Sequence, residues 1–300
     1  MKKMAVLIVT LFVLMFLSIA LADEIKINMK NFPDVNFRRC VKEQADTNGD
    51  GYLSDDEIKS LSTLDCSSRK IRDLTGVEYF SALTVLKCPK NKLTVLDVCS
   101  NKNLTTLVCF DNKLTKLDVT KNKKLKMLEC WNNPLKKLDV SKNKKLEYLG
   151  CDNTQLTELD VSENIKLVFL NCGQNLLKKL DVSKNSKLQY LWCNNNLLEQ
   201  LDVSSNTLIE ELYCLNNKLK TLKLGVKKCL RQLECTNNKL KTLDIRNSIL
   251  VKLVKSKPRT EWYMEDFFGG RWCSGWEEID NTQTVTQYLI LDKDVRVISQ

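Results

Sequence analysis

The sequence predicts an α/β solenoid, a stack of 21-residue coils with a parallel concave β-sheet along one side. Three observations predict it. Cys66, Cys88, Cys109, Cys130, Cys151, Cys172, Cys193, Cys214 and Cys235 recur at steps of 21 residues after a first step of 22, and a fixed period of this size marks a stacked repeat. The last eight each end the phrase Leu-x-Cys, as in Leu107-Val108-Cys109, whose alternation reads as a short strand. Asparagines keep the same step in two further columns. One is Asn91, Asn112, Asn133, Asn175, Asn196, Asn217 and Asn238, interrupted by Thr154; the other is Asn101, Asn122, Asn143, Asn164, Asn185 and Asn206.

Four segments follow in order: a leader over 1–22, a helical N-terminal cap over 23–60, repeats over 61–254 and a β-rich C-terminal cap over 255–300. Lys2 and Lys3 precede the apolar run Met4 to Leu17, and Ala20-Leu21-Ala22 closes it. That is the layout of a secretory signal peptide cleaved after Ala22; an uncleaved membrane anchor is the alternative, because the run approaches spanning length. No later run reaches that length and no C-terminal sorting signal is found. The mature protein is expected outside the cell, secreted or at the cell surface, with no membrane segment after cleavage.

The cap carries a twelve-residue stretch that fits a calcium loop. Asp46, Asn48, Asp50, Ser54 and Glu57 place oxygens at positions 1, 3, 5, 9 and 12, Tyr52 offers its carbonyl at 7, and Gly51 stands at 6. Calcium takes six to eight oxygen ligands, and glycine at the sixth position permits the turn around it. A structural calcium ion locking the cap is the expectation; a vestigial acidic turn is the competing one. Asp34 is placed to cap an entering helix bearing Phe37, Cys40 and Val41 on one side, and a short exit helix runs through Ile58 with Leu53 turned inward.

One coil reads Leu104-x-x-Leu107-x-Cys109-x-x-Asn112-x-Leu114-x-x-Leu117-Asp118-Val119-Thr120-x-Asn122. A single coil cannot bury enough surface to offset the entropy of ordering it, so coils must stack. The cysteines stand where leucine would and read as small core hydrophobes; a metal or redox ladder is the alternative, and neighbouring in-register strands suit disulfides poorly. Cys40, Cys99, Cys229 and Cys273 lie off the ladder, and Cys229 with Cys273 is a conceivable pair. The aspartates of the Leu-Asp-Val phrases (Asp97, Asp118, Asp139, Asp160, Asp181, Asp202, Asp244) also stack and need turn amides or lysines to offset their repulsion.

Composition excludes whole classes of chemistry. The chain has no histidine, so Ser-His-Asp and Cys-His nucleophiles and His-ligated zinc are absent. The formal charge of +10 favours acidic partners or simply a solvated flank; no RNP-like or helix-turn-helix pattern supports specific nucleic-acid binding.

The residues flanking each Leu, and the residue after each Cys, lie on the outward columns of the concave sheet. Stacking brings Tyr148, Phe169, Tyr190, Trp192 and Tyr213 together and pairs Phe110 with Trp131. A solenoid core needs none of them, and exposed aromatic patches mark interaction sites; mutual packing on an unused face is the other reading. Beyond Cys235 one degraded coil keeps Leu243, Leu250 and Leu253, with Lys255 in the cysteine place. Tyr288 to Ile298 reads as two strands that cover the last core layer. The aromatic stretch Glu261 to Trp276 either joins this cap or, at Trp272 and Trp276, forms a second binding site.

The motif L-x-x-L-x-C-x-x-N-x-L-x-x-L-D-V-S-x-N over Leu61 to Leu253 resembles the leucine-rich repeat proteins, most closely the cysteine-ladder internalins. The resemblance implies a curved, secreted bacterial surface protein that binds molecules of a host or neighbouring cell through its concave sheet. The complete-looking calcium loop departs from that family, whose helical cap resembles an EF-hand without its ligands. The expected function is recognition or adhesion, without catalysis, toward a protein or glycan partner, by a monomer. The alternatives are a carboxylate-dependent extracellular glycosidase using such groups as Glu129, Asp152, Glu211 and Glu234, which requires paired acids across a cleft, and a purely structural surface protein.

Overall fold

The computed structural model describes residues 24–246, 253–255, 288–291 and 295–298. The leader, the stretch 261–276 and Cys273 lie outside the described residues. Among the described residues no helix is long and apolar enough to cross a membrane.

The N-terminal cap opens with β1 (Ile25–Lys26), which pairs antiparallel with β2 (Tyr52–Leu53). Between them lies α1 (Val35–Gln44), which buries Phe37, Cys40 and Val41 as the sequence predicts. The Asp34 carboxylate caps α1 by accepting from the N–H groups of Asn36 and Phe37 at 2.8 and 3.0 Å, and its other oxygen accepts from Arg72 N at 2.8 Å, tying the helix to the first coil. The exit helix α2 (Asp55–Ser60) starts in a capping box between Ser54 and Glu57. Phe32 seals the cap against Phe37 and Tyr79, with centroids 5.8 and 5.7 Å away. Gly76 makes this possible: at φ 106°, a Cβ there would meet the Phe32 ring at 2.3 Å.

The coils supply β3 (Thr63–Asp65), β4 (Val85–Lys87), β5 (Thr106–Val108), β6 (Met127–Glu129), β7 (Tyr148–Gly150), β8 (Phe169–Asn171), β9 (Tyr190–Trp192), β10 (Gln200–Asp202), β11 (Glu211–Tyr213), β12 (Thr221–Lys223), β13 (Gln232–Glu234) and β14 (Thr242–Asp244). After them come β15 (Leu253–Lys255), β16 (Tyr288–Leu291) and β17 (Arg296–Ile298). The main sheet has eleven parallel strands in the order β3-β4-β5-β6-β7-β8-β9-β11-β13-β16-β15. Its register is that of the sequence period: Leu86, Leu107, Leu128, Leu149, Leu170, Leu191, Leu212 and Leu233 face one another rung by rung. On another side of the coils, β10 pairs with β12 and β14 with β17.

Cys66 to Cys235 line the core at 0–1% exposure. Burial pushes the six thiols from Cys88 to Cys193 well up, Cys193 to about 12, so they behave as small apolar groups. Amides close the coils. Asn112 Nδ2 donates to Cys109 O in its own coil and to Cys88 O in the one before, each at 3.0 Å, while its Oδ1 accepts from Leu93 N at 3.0 Å. Asn122 Nδ2 donates to Val98 O and Asn101 O, each at 2.9 Å. Where the sequence breaks the first column, Thr154 Oγ1 donates to Cys151 O at 2.6 Å. The Leu-Asp-Val aspartates accept from the backbone two residues on, as Asp118 does from Thr120 N at 2.8 Å. These hydrogen bonds, led by that from the Thr120 side chain, hold the Asp118 carboxyl below the ordinary range.

The C-terminal end departs from the expected order. The degraded coil containing Lys255 is not the next rung; β16 pairs with β13, aligning Leu289 with Leu233, and β15 lies outside it. The last residues thus extend the sheet before the strand that precedes them in sequence. The expected domain boundary at 254/255 falls within β15.

Candidate interaction face and cap loop

The outward columns of the sheet are where the sequence places them, but they are not uniformly open. Tyr148 stacks on Phe169 with centroids 4.3 Å apart and planes 4° apart. Neighbouring strands are about 4.8 Å apart, close to ring-stacking distance, so rings on successive rungs seal one another. Met127, Tyr148 and Phe169 form a second apolar cluster, separate from the coil core, with Tyr190 and Trp192 packed against it. Tyr148 is 6% exposed, Phe169 3% and Tyr213 4%. For these three the expectation of an exposed contact surface is corrected: they form the floor of the face.

Four of the seven aromatics stay half-exposed. Phe110 and Trp131 stack at 4.0 Å with planes 8° apart. Trp192 stands edge-on to Phe169 at 5.1 Å and to Tyr213 at 5.5 Å, with Tyr190 beside Phe169. The open surface is therefore two patches, Phe110–Trp131 and Tyr190–Trp192, joined by a buried aromatic floor.

Acidic groups accompany both patches. Asp152, half-buried, accepts from Asn171 Nδ2 at 3.0 Å. Burial pushes its carboxyl up to about 7, and the nearby Asp111 charge adds to the rise. Glu211 is raised by burial as well, against the pull of Arg231 and a hydrogen bond from Trp192. Tyr190 O–H donates to Glu210 Oε2 at 3.4 Å, and Glu210 pairs with Arg231. Glu129 and Glu234 are buried on the same face. Lysines 121, 123, 124, 142, 144 and 145 are all exposed in the outer turns. A chain of formal charge +10 thus carries an acidic, aromatic inner face.

One feature of this face escaped the sequence reading. Lys90, Asp111, Asn132, Asn153, Gln174, Asn195, Asn216 and Asn237 all have φ between 49 and 55°. This is the left-handed region that Asn and Asp tolerate best. Their side chains link along the stack: Asn132 Nδ2 donates to Asp111 Oδ1, and Asn153 Nδ2 to Asn132 Oδ1, each at 2.6 Å. The column forms a polar rim beside Phe110 and Trp131. Its signal was the residue before each asparagine of the first column, which is itself mostly Asn or Asp.

The cap loop is closed by Glu57. Oε1 accepts from Thr47 N, Thr47 Oγ1 and Asn48 N at 2.7, 2.9 and 3.3 Å, and Oε2 from Ser54 N and Ser54 Oγ at 2.9 and 2.8 Å. Burial raises the Glu57 carboxyl, but the hydrogen bonds from Ser54 and Thr47 outweigh it and hold the group at about 2. Asp50 accepts from Tyr52 N and Asn48 Nδ2. Asp46 Oδ2 accepts from Gly51 N, and its Oδ1 is buried without a partner. Among the described residues no three acidic or thiol side chains converge on a point that would hold a metal. In this conformation both oxygens of Glu57 are engaged by the loop itself.

No family model matches the chain. Internalin J of Listeria monocytogenes is 42% identical over 70 residues, 23% of this chain and 8% of that protein. The functional domain of InlJ from the same species, which includes a cysteine ladder, matches with a TM-score of 0.58 at 35% identity, over 74% of this chain and 56% of the other. The internalin inlF matches at TM-score 0.56 and 17% identity, covering 76% of this chain and 86% of its own, and supports the fold alone. The chain therefore spans little more than half of the solved InlJ domain and a small fraction of internalin J. Its fold is a leucine-rich repeat solenoid with a cysteine ladder, similar to that of the InlJ domain.

Proposed function

We propose that this chain is an exported recognition or adhesion protein that binds a protein partner on another cell through its concave face. The observation that carries this reading is the pair of half-exposed aromatic patches, Phe110–Trp131 and Tyr190–Trp192, held on a rigid sheet beside carboxyl groups. Aromatic anchors on a pre-ordered surface bind with little entropic cost. The acidic surroundings suit basic side chains, which also lie favourably over Trp and Tyr rings. The contact surface thus favours a basic partner segment, the reverse of what the net charge alone suggests. Export through the leader over 1–22 is part of the proposal, as is a bacterial-surface setting like that of the internalins.

The test is binding of labelled full chain to cells. Trp131→Ala with Trp192→Ala should lower the bound fraction at least tenfold, with the melting midpoint little changed. Retained binding by this double variant would overturn the proposal. Higher salt should slow association.

Calcium in loop 46–57 is a separate proposal, supported by the donor set and the buried, unpaired Asp46 Oδ1. Asp46, Asn48, Asp50, the Tyr52 carbonyl and Ser54 would hold the ion with Glu57, once Glu57 has left Thr47 and Asn48. Melting with calcium and with chelator tests it; an unchanged midpoint removes it.

A further inference from the structure

Cys40 stands outside the repeat, on the buried face of α1, and Cys66 is the first member of the ladder. Their sulfurs lie 2.8 Å apart, well inside the contact distance of two unbonded sulfurs and approaching the S–S bond length of about 2.05 Å. Both residues are fully buried. Ladder cysteines on adjacent rungs project in the same direction from in-register strands, which is poor geometry for bonding. Cys40 instead comes from a helix laid across the end of the ladder, so its side chain meets that of Cys66 head-on.

We infer that Cys40 and Cys66 form a disulfide in the exported protein, a covalent latch between the helical cap and the first coil.

The surroundings hold the two sulfurs in place. Gln44 Nε2 donates to Cys40 Sγ at 3.0 Å and to Asp65 O at 2.7 Å, fixing the sulfur beside β3. Arg69, paired with Glu43 at 2.5 Å, places a positive charge nearby. The contact between the two thiols, aided by Arg69 against burial, lowers the Cys40 thiol below its ordinary value. The same contact and burial raise that of Cys66.

The reaction consumes two thiols. Both S–H bonds break, one S–S bond forms, and two protons and two electrons leave. A disulfide-bearing oxidant such as oxidised glutathione or a thiol–disulfide oxidoreductase accepts the electrons and departs as two thiols. Since both sulfurs are buried in the folded chain, the bond forms during folding, in an oxidising compartment. It closes a 26-residue separation and pins the cap, which otherwise rests on the solenoid through packing and hydrogen bonds.

The experiment refolds the reduced full chain in a glutathione redox buffer, blocks residual thiols with N-ethylmaleimide and maps tryptic peptides without reduction. The expected product joins the peptide at residues 40–42 to that at 60–69, lighter by two hydrogens than the two free peptides. Recovery of both cysteines as blocked thiols overturns the inference, as does Cys66 joined to Cys88. Oxidised chain should melt roughly 5–10 °C above reduced chain. Cys40→Ser should show no such difference between the two conditions, and a difference that persists in this variant places the stabilising bond elsewhere.

Discussion

The cap and the coils solve the same problem, satisfying buried backbone without a round core, by opposite means. In the coils most contacts are repeated: two asparagine columns close the turns except at Thr154 and Lys227, and the same donor and acceptor recur 21 residues later. In the cap every contact is unique: Glu57 alone closes the loop, Asp34 alone joins α1 to Arg72, and Gly76 alone admits Phe32. Repetition spreads the load and makes the coils legible in sequence. The cap concentrates it on a few residues whose loss has no neighbour to share it.

The largest test of that contrast lies in the coils. Asn122→Ala should cost about 3 kcal/mol, because Val98 O and Asn101 O lose their buried donor together. The loss should appear as a lower denaturation midpoint of the whole ladder, since each coil stacks on its neighbours. A change confined to one segment would refute the shared-load view.

Next is Glu57→Gln, expected to cost ~2 kcal/mol through its charge-assisted hydrogen bonds. Here the effect should be local, seen as faster amide exchange over residues 46–60 with the ladder unchanged. Acid should mimic it. Glu57 titrates at about 2 when folded against 4.5 ordinarily, so its contribution is complete above pH 4.5 and lost as pH falls toward 2. Cap exchange that stays flat across that window would show that Glu57 does not hold the loop.

Lys227 tests the ladder from its flawed end. It occupies the place of the second asparagine column, 21 residues after Asn206, fully buried, and its ammonium donates to Val203 O at 2.9 Å and to Leu224 O. Burial pulls it down to about 8 from 10.5. The unfolded chain therefore holds more protons between these values, and stability should rise with pH from 8 to 10.5. Lys227→Asn should raise stability by about 1 kcal/mol and abolish that rise. A destabilised variant would mean the ammonium serves this coil better than an amide.

The smallest expected effect is that of Thr154→Asn, which restores the first column. Pro134 and the left-handed Lys136 and Gln155 (φ 62° each) already reshape the turns there, so a change within about 0.5 kcal/mol is expected in a denaturant titration.

Much of the candidate face was legible. Its strands, their register and the grouping of aromatics follow from a period and a two-residue alternation. Openness was not, because it depends on ring spacing across coils: Tyr148 and Phe169 lie one rung apart and stack, so each covers the other. The sign of the face was hidden too. Net charge sums over lysines in the outer turns and says nothing of Asp111, Asp152 and Glu211 inside the curve. Loop 46–57 shows the same limit: six matching letters specify oxygen donors, but the direction of the Glu57 carboxylate is a matter of which N–H groups lie within its reach.

By itself the sequence determined what repeats: the coil length, the Leu-x-Cys strands, the buried thiols and the asparagine columns. Repeated burial and repeated hydrogen bonding leave a period that can be counted along the chain. Only the tertiary structure decided what happens once: the sunken aromatic floor, the closure of the cap by Glu57, the meeting of Cys40 with Cys66, and β16 placed between β13 and β15. Each of these is a distance that no repeat fixes, set by how the chain packs at the face and the ends of the stack, where no neighbouring coil supplies a second copy.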